Sequence, residues 1–283
     1  MRIVETIPEL RRAISEVENK EIGLIPTMGA LHEGHLSLMR AAKHKNEFVV
    51  VSIFVNPTQF GPNEDFSRYP RTFEADVEKC RSVGVDLIFH PSPEEMYPNG
   101  FSTFVDVEGI TERLEGGFRP GHFRGVTTIV FKLFAAVEPD SAYFGMKDYQ
   151  QLKVIEKMVR DLNVDVEIVP VPTLREPDGL AMSSRNAYLS EDERRAALAL
   201  YRSLIAAKEL ADSGETDAEA IRQKALQMIQ AEPLVNKIDY VEVVDPNTLD
   251  PVSWITSGAV IALAVRIGKT RLIDNMLIGG ETS

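Results

Sequence analysis

The first 170 residues alternate between short apolar runs and segments whose apolar residues recur every three or four positions. Runs at 22–25, 48–55 and 86–89 have the length and composition of strands. The run at 48–55 is apolar on both faces, as expected for a central parallel strand that helices cover on each side. The same patterns predict further elements, which are helices beginning at Thr6 and over 34–45, 72–82, 126–137 and 147–162, and strands over 142–144 and 166–169.

This alternation of strands with helices is typical of right-handed βαβ units. We therefore predict an α/β fold with a Rossmann-like, doubly wound parallel sheet. In such sheets, ligands bind beyond the carboxyl ends of the strands, where the connecting loops gather.

The pattern changes after Pro170 and Pro172. Ser190 and Glu193 form a capping box that opens a long helix, and Asp217 opens a second helix. Three strand-like runs separated by turns follow, which predicts a smaller C-terminal α+β domain with a small antiparallel sheet. These strand-like runs are 237–244, 260–265 and 271–277. We place the domain boundary between 173 and 186, so that the predicted domains are 1–175 and 176–283.

The composition narrows the class of protein. A length of 283 residues suits two domains, and 44% hydrophobic and 26% charged residues are ordinary for a soluble protein. With 31 basic and 43 acidic residues the formal charge is −12, which disfavours binding to nucleic acid or to an anionic membrane. Any polyanionic ligand must therefore be held in a local basic pocket.

The sequence shows no pattern for a disulfide, a zinc site, a membrane helix or a targeting signal. The single cysteine, Cys80, excludes an internal disulfide, and no Cys/His cluster has zinc-ligand spacing. The longest apolar runs are far shorter than the ~20 residues of a membrane helix, and we see no leader pattern at the start. We expect a cytoplasmic protein.

The most informative motif is His-Glu-Gly-His at 32–35, between the first long strand and the next helix. Glycine lets the backbone approach a phosphate, and a helix N-terminus favours an anion. His32 and His35 can donate hydrogen bonds to phosphoryl oxygens as charge develops. The alternative is a surface turn that carries two histidines by chance.

Two further segments have residues suited to phosphate. Lys147 opens a helix after a short strand, where it can place a point charge on phosphate or be simply solvated. Asp148 beside it could cap that helix, or hold a ribose or a metal. The segment 181–186, Ala-Met-Ser-Ser-Arg-Asn, is either a mobile phosphate-binding loop or a plain linker.

Longer motifs bring a family resemblance. MGALHEGH, SIFVNPTQFGPNEDFSRYPR, RPGHFRGV, YFGMKDYQQL, DGLAMSSRN and RLIDN resemble, in order and spacing, the pantoate–β-alanine ligases, or pantothenate synthetases. The likeness covers essentially the whole chain. Its His-x-Gly-His motif is shared across a nucleotidyltransferase superfamily, whereas SIFVNPTQF, RPGHFRG and KDYQQ are close to diagnostic.

The resemblance implies an ATP-dependent ligation in two steps. Pantoate attacks the α-phosphorus of ATP to give pantoyl adenylate and pyrophosphate, and β-alanine then releases AMP and pantothenate. It also implies Mg²⁺, held mostly by ATP oxygens and water, with no protein ligand named. The implied assembly is a homodimer formed through the larger domain, with the smaller domain as a lid.

The site residues are carried over from the family motifs. His35 is the implied proton donor, His32 a phosphate ligand, Lys147 the group that stabilises the pentavalent phosphorus, and Ser183 and Arg185 the main triphosphate donors. The implied ATP-binding set is completed by Met28, Gly29, Ala30, Leu31, Glu33, Gly34, Gly145, Met146, Asp148, Leu174 (through its backbone), Met182 and Ser184.

The implied pantoate-binding residues are Gln59 and Gln151, since an amide offers both a donor and an acceptor to a ligand with two hydroxyls. Asn56 and Tyr69 are weaker candidates for the substrate pocket and the β-alanine entrance, with a turn cap and half-buried packing as their respective alternatives. Met146 stands where the family motif has Glu, and we expect no effect if that position acts through its backbone.

Other residues are candidates for structural roles. The segment 119–125, Arg-Pro-Gly-His-Phe-Arg-Gly, could approach the mouth of the active site, or it could order a loop or a subunit contact. Cys80, His44 and His90 are expected to be structural or solvated. The acidic residues at 191–193 fit a helix-cap charge pattern better than a metal site.

Two rival functions were weighed against the ligase. An adenylyltransferase or a tRNA-synthetase-like ligase for another acid is opposed by the charge of −12 and by the glutamine pair. A non-catalytic nucleotide-binding module would be expected to lack one of the three phosphate-binding segments, and all three are present.

Overall fold

The chain divides into two units in the computed structural model, which describes residues 1–17, 19–62 and 64–280. The first unit comprises Met1–Thr111, Arg119–Met146 and Gln151–Pro172. The second contains Glu112–Phe118, Lys147–Gln150 and the described residues from Thr173 onward. Two short segments therefore leave the first stretch of the chain to join the second unit. The predicted division of function between 1–175 and 176–283 stays a prediction.

The helices and strands follow the predicted order with a few additions. The strands are β1 (Arg2–Val4), β2 (Ile22–Thr27), β3 (Phe48–Ile53), β4 (Leu87–Phe89), β5 (Ser141–Gly145), β6 (Glu167–Val171), β7 (Val235–Val244), β8 (Ala259–Ile267) and β9 (Thr270–Ile278). The α-helices are α1 (Ile7–Ser15), α2 (Glu33–Lys45), α3 (Phe73–Val83), α4 (Pro93–Met96), α5 (Glu115–Phe118), α6 (His122–Val137), α7 (Tyr149–Asp161), α8 (Glu191–Asp212) and α9 (Ala218–Gln230). Short 3-10 turns lie at Pro57–Gln59, Met146–Asp148 and Ser184–Tyr188.

The first unit holds a six-stranded parallel sheet in the order β1-β4-β3-β2-β5-β6. Leu24 and Ile25 are neighbours on β2, so their side chains face opposite sides of the sheet, and both are fully buried. Both faces are therefore covered, as in a doubly wound fold, and the predicted fold class is confirmed. Strands β3 and β5 flank β2 on opposite sides, so the loops that follow β2 and β5 start at the switch point where ligands bind.

Some predicted boundaries differ from the structure for local reasons. The helix predicted from residue 126 begins at His122, because Gly121 adopts a left-handed conformation (φ 80°) immediately before it. The helix predicted from residue 147 begins at Tyr149, since residues 146–148 form a 3-10 turn instead. Strand β1 is absent from the prediction, because its three residues at the sheet edge carry no burial pattern.

The second unit contains the predicted antiparallel sheet, in the order β7-β8-β9. Helices α8 and α9 supply Leu204 and Ile221 to a common apolar core with Leu263 of β8. The capping box that opens α8 is present, since Ser190 accepts a hydrogen bond from the Glu193 N–H and Glu193 accepts one from the Ser190 N–H. These local signals place the helix start at the predicted residue.

A buried charged network ties α5 to the small sheet. The Glu115 carboxylate accepts hydrogen bonds from Arg271 Nη1 and Nη2 at 2.6 and 2.7 Å, and Arg271 Nε donates to Asp239 at 2.7 Å. Tyr240 also donates to Glu115 at 2.9 Å. Burial raises the pKa of Tyr240, so its hydroxyl stays protonated and remains a donor. Removing any one partner would leave a buried charge without full compensation.

Cys80 lies in the core of the first unit, on α3. Burial, with a smaller contribution from Asp76, raises the pKa of its thiol to about 12. The thiol is therefore protonated and inert, in agreement with a structural role. Within the described part of the chain, every helix is too short or too polar to span a bilayer.

Gly125 of α6 permits close packing against the turn at Pro57–Gln59. A Cβ atom at this position would lie 2.4 Å from the carbonyl oxygen of Thr58, closer than any real contact. The clash would be with backbone, which cannot rotate away as a side chain can.

We predict that Gly125→Ala lowers the free energy of unfolding by about 1–3 kcal/mol, the usual cost of an overpacked site. Urea denaturation monitored by circular dichroism measures this. The matched control is Gly61→Ala, where the nearest atom to a new Cβ, Glu64 Cγ, lies at 3.8 Å. Equal stability of Gly125→Ala and wild type would contradict the packing argument.

Candidate active site

The backbone of the loop after β2 is fixed by hydrogen bonds to a buried carboxylate from a neighbouring helix. Asp76 of α3 is 1% exposed and accepts hydrogen bonds from the N–H groups of Ala30 and Leu31, both at 2.8 Å. Gly29 has φ 78°, and Ala30 also has a positive φ, of 50°. The sequence reasoning missed Asp76, because an acid in the first turn of a helix also fits the role of an ordinary dipole partner.

The same loop has a second support from α3. Lys79 donates to the carbonyl of Leu31 at 2.6 Å, and Gly29 N–H donates to Thr27 Oγ1 at 3.2 Å. A Cβ on Gly29 would lie 3.1 Å from Asp76 Oδ2, a tight contact, and the positive φ of this residue also favours glycine. The predicted residues from Met28 to His32 therefore form one ordered loop, and Glu33 and Gly34 are the first residues of α2.

His32 and His35 lie side by side at the N-terminus of α2, with ring centroids 4.1 Å apart. Nδ1 of His32 accepts from Gly34 N–H at 3.1 Å, and Nδ1 of His35 accepts from His32 N–H at 3.3 Å. An imidazole that accepts at Nδ1 and is neutral carries its proton on Nε2. Both rings are half-buried, and each therefore has an Nε2–H donor of the kind that a phosphoryl oxygen needs.

The helix end adds to the attraction for an anion. The N-terminus of α2 contributes its partial positive charge and N–H groups. Glu33, the exposed acid of the first turn, pairs with Arg40 at 2.9 Å. Its negative charge is therefore partly neutralised by a partner on the same helix.

Asn56 and Gln59 meet at the turn after β3. Asn56 Nδ2 donates to Gln59 Oε1 at 2.9 Å and to the carbonyl of Gly125 at 3.1 Å. Because the amide oxygen of Gln59 is engaged in this way, its NH₂ group is the end left to recognise an acceptor. Asn56 also caps the turn by accepting from Thr58, which is the structural alternative raised for it.

Tyr97 completes this polar cluster, and the sequence reasoning missed it. Its hydroxyl donates to Asn56 Oδ1 at 2.8 Å and lies 3.2 Å from Thr58 Oγ1. Burial raises the pKa of Tyr97, so the hydroxyl remains protonated and keeps donating. With its oxygen acting as an acceptor, the Asn56 amide is locked in the orientation that presents Nδ2 to Gln59.

The segment at 119–125 orders the loop that follows Gln59. Arg119 makes a bidentate ion pair with Glu64, with both distances at 2.8 Å, and its Nη1 lies 3.0 Å from His122 Nε2. His122 Nδ1 contacts the Gln59 carbonyl at 2.9 Å. The contacts of this segment therefore order the loop after Gln59, which is one of the alternatives given for it above. Tyr69 is buried against Phe60, with ring centroids 5.8 Å apart.

The remaining two histidines, His44 and His90, have structural surroundings. His90 stacks on Phe73 at 4.0 Å, and its Nδ1 contacts the carbonyl of Ile53 at 2.7 Å. His44 lies in the last turn of α2, where a basic residue suits the helix dipole.

Gly145 ends β5 in the first unit, and Met146 follows it, half-buried. Gln151 lies in α7 of the first unit and is half-buried. No hydrogen bond joins the side chains of Gln59 and Gln151, both of which the structure describes. The pairing of these two amides around one ligand stays a prediction.

Lys147 and Asp148 belong to the second unit. Lys147 is half-buried, and its carbonyl accepts a hydrogen bond from Asn275 Nδ2 at 2.8 Å. Among the described residues, no carboxylate forms an ion pair with its ammonium group. Asp148 is exposed and immediately precedes α7.

The segment with Met182, Ser183, Ser184 and Arg185 forms the start of a short helical turn. Ser183 Oγ caps the 3-10 turn Ser184–Tyr188 by accepting from Arg185 N–H at 3.3 Å. All four side chains are half-buried. The carbonyl of Leu174, the residue predicted to contact adenine, accepts from Met182 N–H at 3.0 Å.

Asn186, next in the chain, was not among the predicted site residues. Its Nδ2 donates to the carbonyl of Ala181 at 3.0 Å, while its buried Oδ1 has no hydrogen-bond partner among the described residues.

Residues 1–17, 19–62 and 64–280 contain no cluster of three or more His, Cys, Asp or Glu side chains able to hold a metal.

Comparison with known proteins places this geometry in a family. The family model for pantoate–β-alanine ligase matches residues 2–277. A pantothenate synthetase of Pelotomaculum thermopropionicum is 58% identical over 281 residues, which are 99% of each chain. One from Acetivibrio thermocellus is 57% identical over 280 residues, covering 98% of this chain and 99% of the relative.

Solved structures agree with the sequence relatives. The crystal structure of pantothenate synthetase from Thermus thermophilus matches with a TM-score of 0.94 and 51% identity over 98% of this chain and 99% of that one. The pantoate–β-alanine ligase of Francisella tularensis, complexed with β,γ-ATP and β-alanine, matches with a TM-score of 0.80 and 36% identity over 98% and 97% of the two chains. The chain therefore belongs to the pantoate–β-alanine ligase family, as its sequence motifs predicted.

Proposed function

We propose that the reaction of this family, the ligation of pantoate to β-alanine, proceeds here through a pantoyl adenylate made from ATP. In the first step, a carboxylate oxygen of pantoate forms a bond to the α-phosphorus, and pyrophosphate leaves with the electrons of the broken P–O bond. In the second step, the amine of β-alanine attacks the acyl carbon. A C–N bond forms, the acyl C–O bond breaks, the nitrogen loses a proton, and AMP leaves.

The observation that carries this proposal is the histidine pair in the loop after β2. With Nδ1 of each ring accepting a backbone N–H, each ring carries its proton on Nε2, which can donate to an anion at this helix end. Donors already in position stabilise charge that develops on phosphoryl oxygens without a cost of reorganisation. We assign His35 as the proton donor to the departing pyrophosphate and His32 as a phosphate ligand.

The remaining ATP-binding roles follow the family motifs. Lys147 would neutralise charge on the pentavalent phosphorus, and Ser183 and Arg185 would bind the outer phosphates. These roles suit the Lys147 ammonium, which has no carboxylate partner among the described residues, and the Arg185 guanidinium. Phosphoryl transfer depends mainly on positioning and charge stabilisation. Supporting contacts to the nucleotide would come from Met28, Gly29, Ala30, Leu31, Glu33, Gly34, Gly145, Met146, Asp148, Leu174, Met182 and Ser184.

Pantoate would be recognised by Gln59 and Gln151. The Gln59 amide oxygen is engaged by Asn56, so its NH₂ would donate to a pantoate oxygen. In this proposal Asn56 acts on the substrate through Gln59. Residues 1–175 would bind ATP and pantoate, and residues 176–283 would act as the lid.

Mg²⁺ is the proposed companion of ATP. It would neutralise phosphate charge and would be held mostly by phosphate oxygens and water, as this ion prefers. A homodimer and a cytoplasmic location are further proposals, and they rest on the family resemblance and on the composition of the chain.

The overall reaction has a direct test. We predict that purified protein exchanges labelled pyrophosphate into ATP when pantoate is added, with no need for β-alanine. AMP should then form in an amount equal to pantothenate once β-alanine is supplied. Exchange that occurs with another hydroxy acid but not with pantoate would refute the substrate assignment.

We predict that His35→Ala and Lys147→Ala each lower the rate of pantoate-dependent exchange by about 10²-fold, because each removes a donor or charge aimed at the transition state. Lys157→Ala, which removes a surface lysine paired with Asp161, is the matched control and should keep the wild-type rate. Thermal melting checks that all variants are folded. Wild-type rates in folded His35→Ala or Lys147→Ala protein would remove that residue from the mechanism.

We predict that Gln59→Glu raises KM for pantoate about tenfold or more, because it replaces an amide donor with a charge that repels the pantoate carboxylate. The carboxylate can still accept from Asn56, so the turn is retained. KM for ATP should change by less than about twofold, because Gln59 is assigned to pantoate and not to ATP. Gln230→Glu, at the exposed end of α9, is the control for added charge, and an unchanged KM for pantoate in Gln59→Glu would exclude Gln59 from the pantoate site.

A further inference from the structure

Strand β9 carries two adjacent polar residues that the proposed reaction leaves without a role. Asp274 and Asn275 end the RLIDN motif, and they are only 3% and 9% exposed. Neighbouring residues on a strand project to opposite faces of the sheet. One dipeptide can therefore hold two different segments of the second unit.

Asp274 holds the loop that precedes Ser183. Arg175 Nη1 and Nη2 donate to its two carboxylate oxygens at 2.7 and 2.9 Å, in the bidentate geometry that fixes both groups most firmly. Nη1 also donates to the carbonyl of Gly179 at 3.1 Å. The guanidinium carbon lies 4.4 Å from the ring centroid of Tyr201, on α8.

The loop from residue 174 to residue 182 is itself closed by backbone hydrogen bonds. Glu176 N–H donates to the carbonyl of Leu180 at 2.8 Å, and Met182 N–H donates to that of Leu174 at 3.0 Å. Its two sides are therefore joined, and the position of Arg175 constrains that of Met182. Ser183 and Arg185 follow directly in the chain.

Asn275 holds the other phosphate-binding segment of this unit. Its Nδ2 donates to the carbonyl of Lys147 at 2.8 Å. Two residues further on, Tyr149 donates to the carbonyl of Pro246 at 2.9 Å, and the Gln150 amide oxygen accepts from Glu115 N–H at 2.9 Å. The backbone of Lys147 is thus anchored to strand β9 through Asn275, and the position of its ammonium group then depends only on the rotamers of the side chain.

We propose that Asp274 and Asn275 are positioning residues for the adenylation step. Asp274 sets Arg185 through Arg175, and Asn275 sets Lys147 through its carbonyl oxygen. The inference rests on the proposed function, in which Lys147 and Arg185 act on the phosphates of ATP. Neither Asp274 nor Asn275 needs to touch a substrate.

The Asn275 arm is tested by Asn275→Asp, whose carboxylate cannot donate to the Lys147 carbonyl. We expect the rate of pantoate-dependent pyrophosphate exchange at saturating ATP to fall about tenfold, with KM for pantoate unchanged. In the Lys147→Ala background, the same substitution should cost nothing further, because residues that act through one group are not additive. Asn275→Ala is the second variant, with the same expectation, should Asn275→Asp prove unfolded by thermal melting.

Asn236→Asp is the matched control, since the exposed Asn236 also donates to a backbone carbonyl, that of Gly268, at 2.8 Å. It should leave exchange at the wild-type rate. A tenfold loss for Asn275→Asp in both backgrounds would show an effect independent of Lys147 and overturn this arm. A wild-type rate for folded Asn275→Asp would overturn it as well.

The Asp274 arm is tested by Arg175→Lys, which keeps the charge but loses the bidentate fork. We expect KM for ATP to rise about tenfold in the wild-type background and not at all in the Arg185→Ala background. Asp178→Asn, which removes the exposed Asp178–Arg194 pair in the same loop, is the control and should leave KM for ATP unchanged. An equal rise in both backgrounds, or none in either, would overturn this arm.

The outcomes also separate this inference from the function beneath it. If Lys147→Ala and Arg185→Ala alone keep wild-type exchange and wild-type KM for ATP, the proposed roles of those residues fail. If both are impaired but the double variants are additive, the roles stand and the positioning inference fails.

Discussion

The central strands β2 and β3 of the parallel sheet are buried on both faces, and this constraint decides where the chemistry of the first unit can lie. A charged or unpaired polar group in the middle of β2 or β3 would lose its hydration without compensation. Polar function is therefore confined to the loops at the carboxyl ends. Those loops leave the hydrogen-bonded ladder, so their N–H groups need new acceptors, and Asp76 supplies two of them to the loop before α2.

Much of the fold could be predicted because its signals are local. The capping box at Ser190 and Glu193, the apolar run of β3 and the cap at Asp217 each lie within a few residues of the element they define. Strand β1 escaped prediction, because three residues carry no period. The start of α6 was misplaced by four residues, since a histidine and an arginine after Gly121 look more like loop than helix.

The site was predictable to the same extent and for the same reason. The histidine motif is a local pattern, and so is the serine–arginine segment. Their supports are not, because a contact between residues 41 or 99 positions apart leaves no mark on either neighbourhood. Tyr97 on Asn56 and Asp274 on Arg175 could be found only once the chain was folded.

The second unit is assembled from three separate stretches of chain, and this has a consequence for how the protein can form. During synthesis Glu115 emerges long before Arg271, its buried partner, so the ion pair between them forms only after β9 has been made. The chain passes between units at 111/112, 118/119, 146/147, 150/151 and 172/173, so neither unit is a single excisable segment. A fragment that stops at residue 172 would hold every segment of the first unit but would carry the Glu115 carboxylate without Arg271, the partner that neutralises its charge.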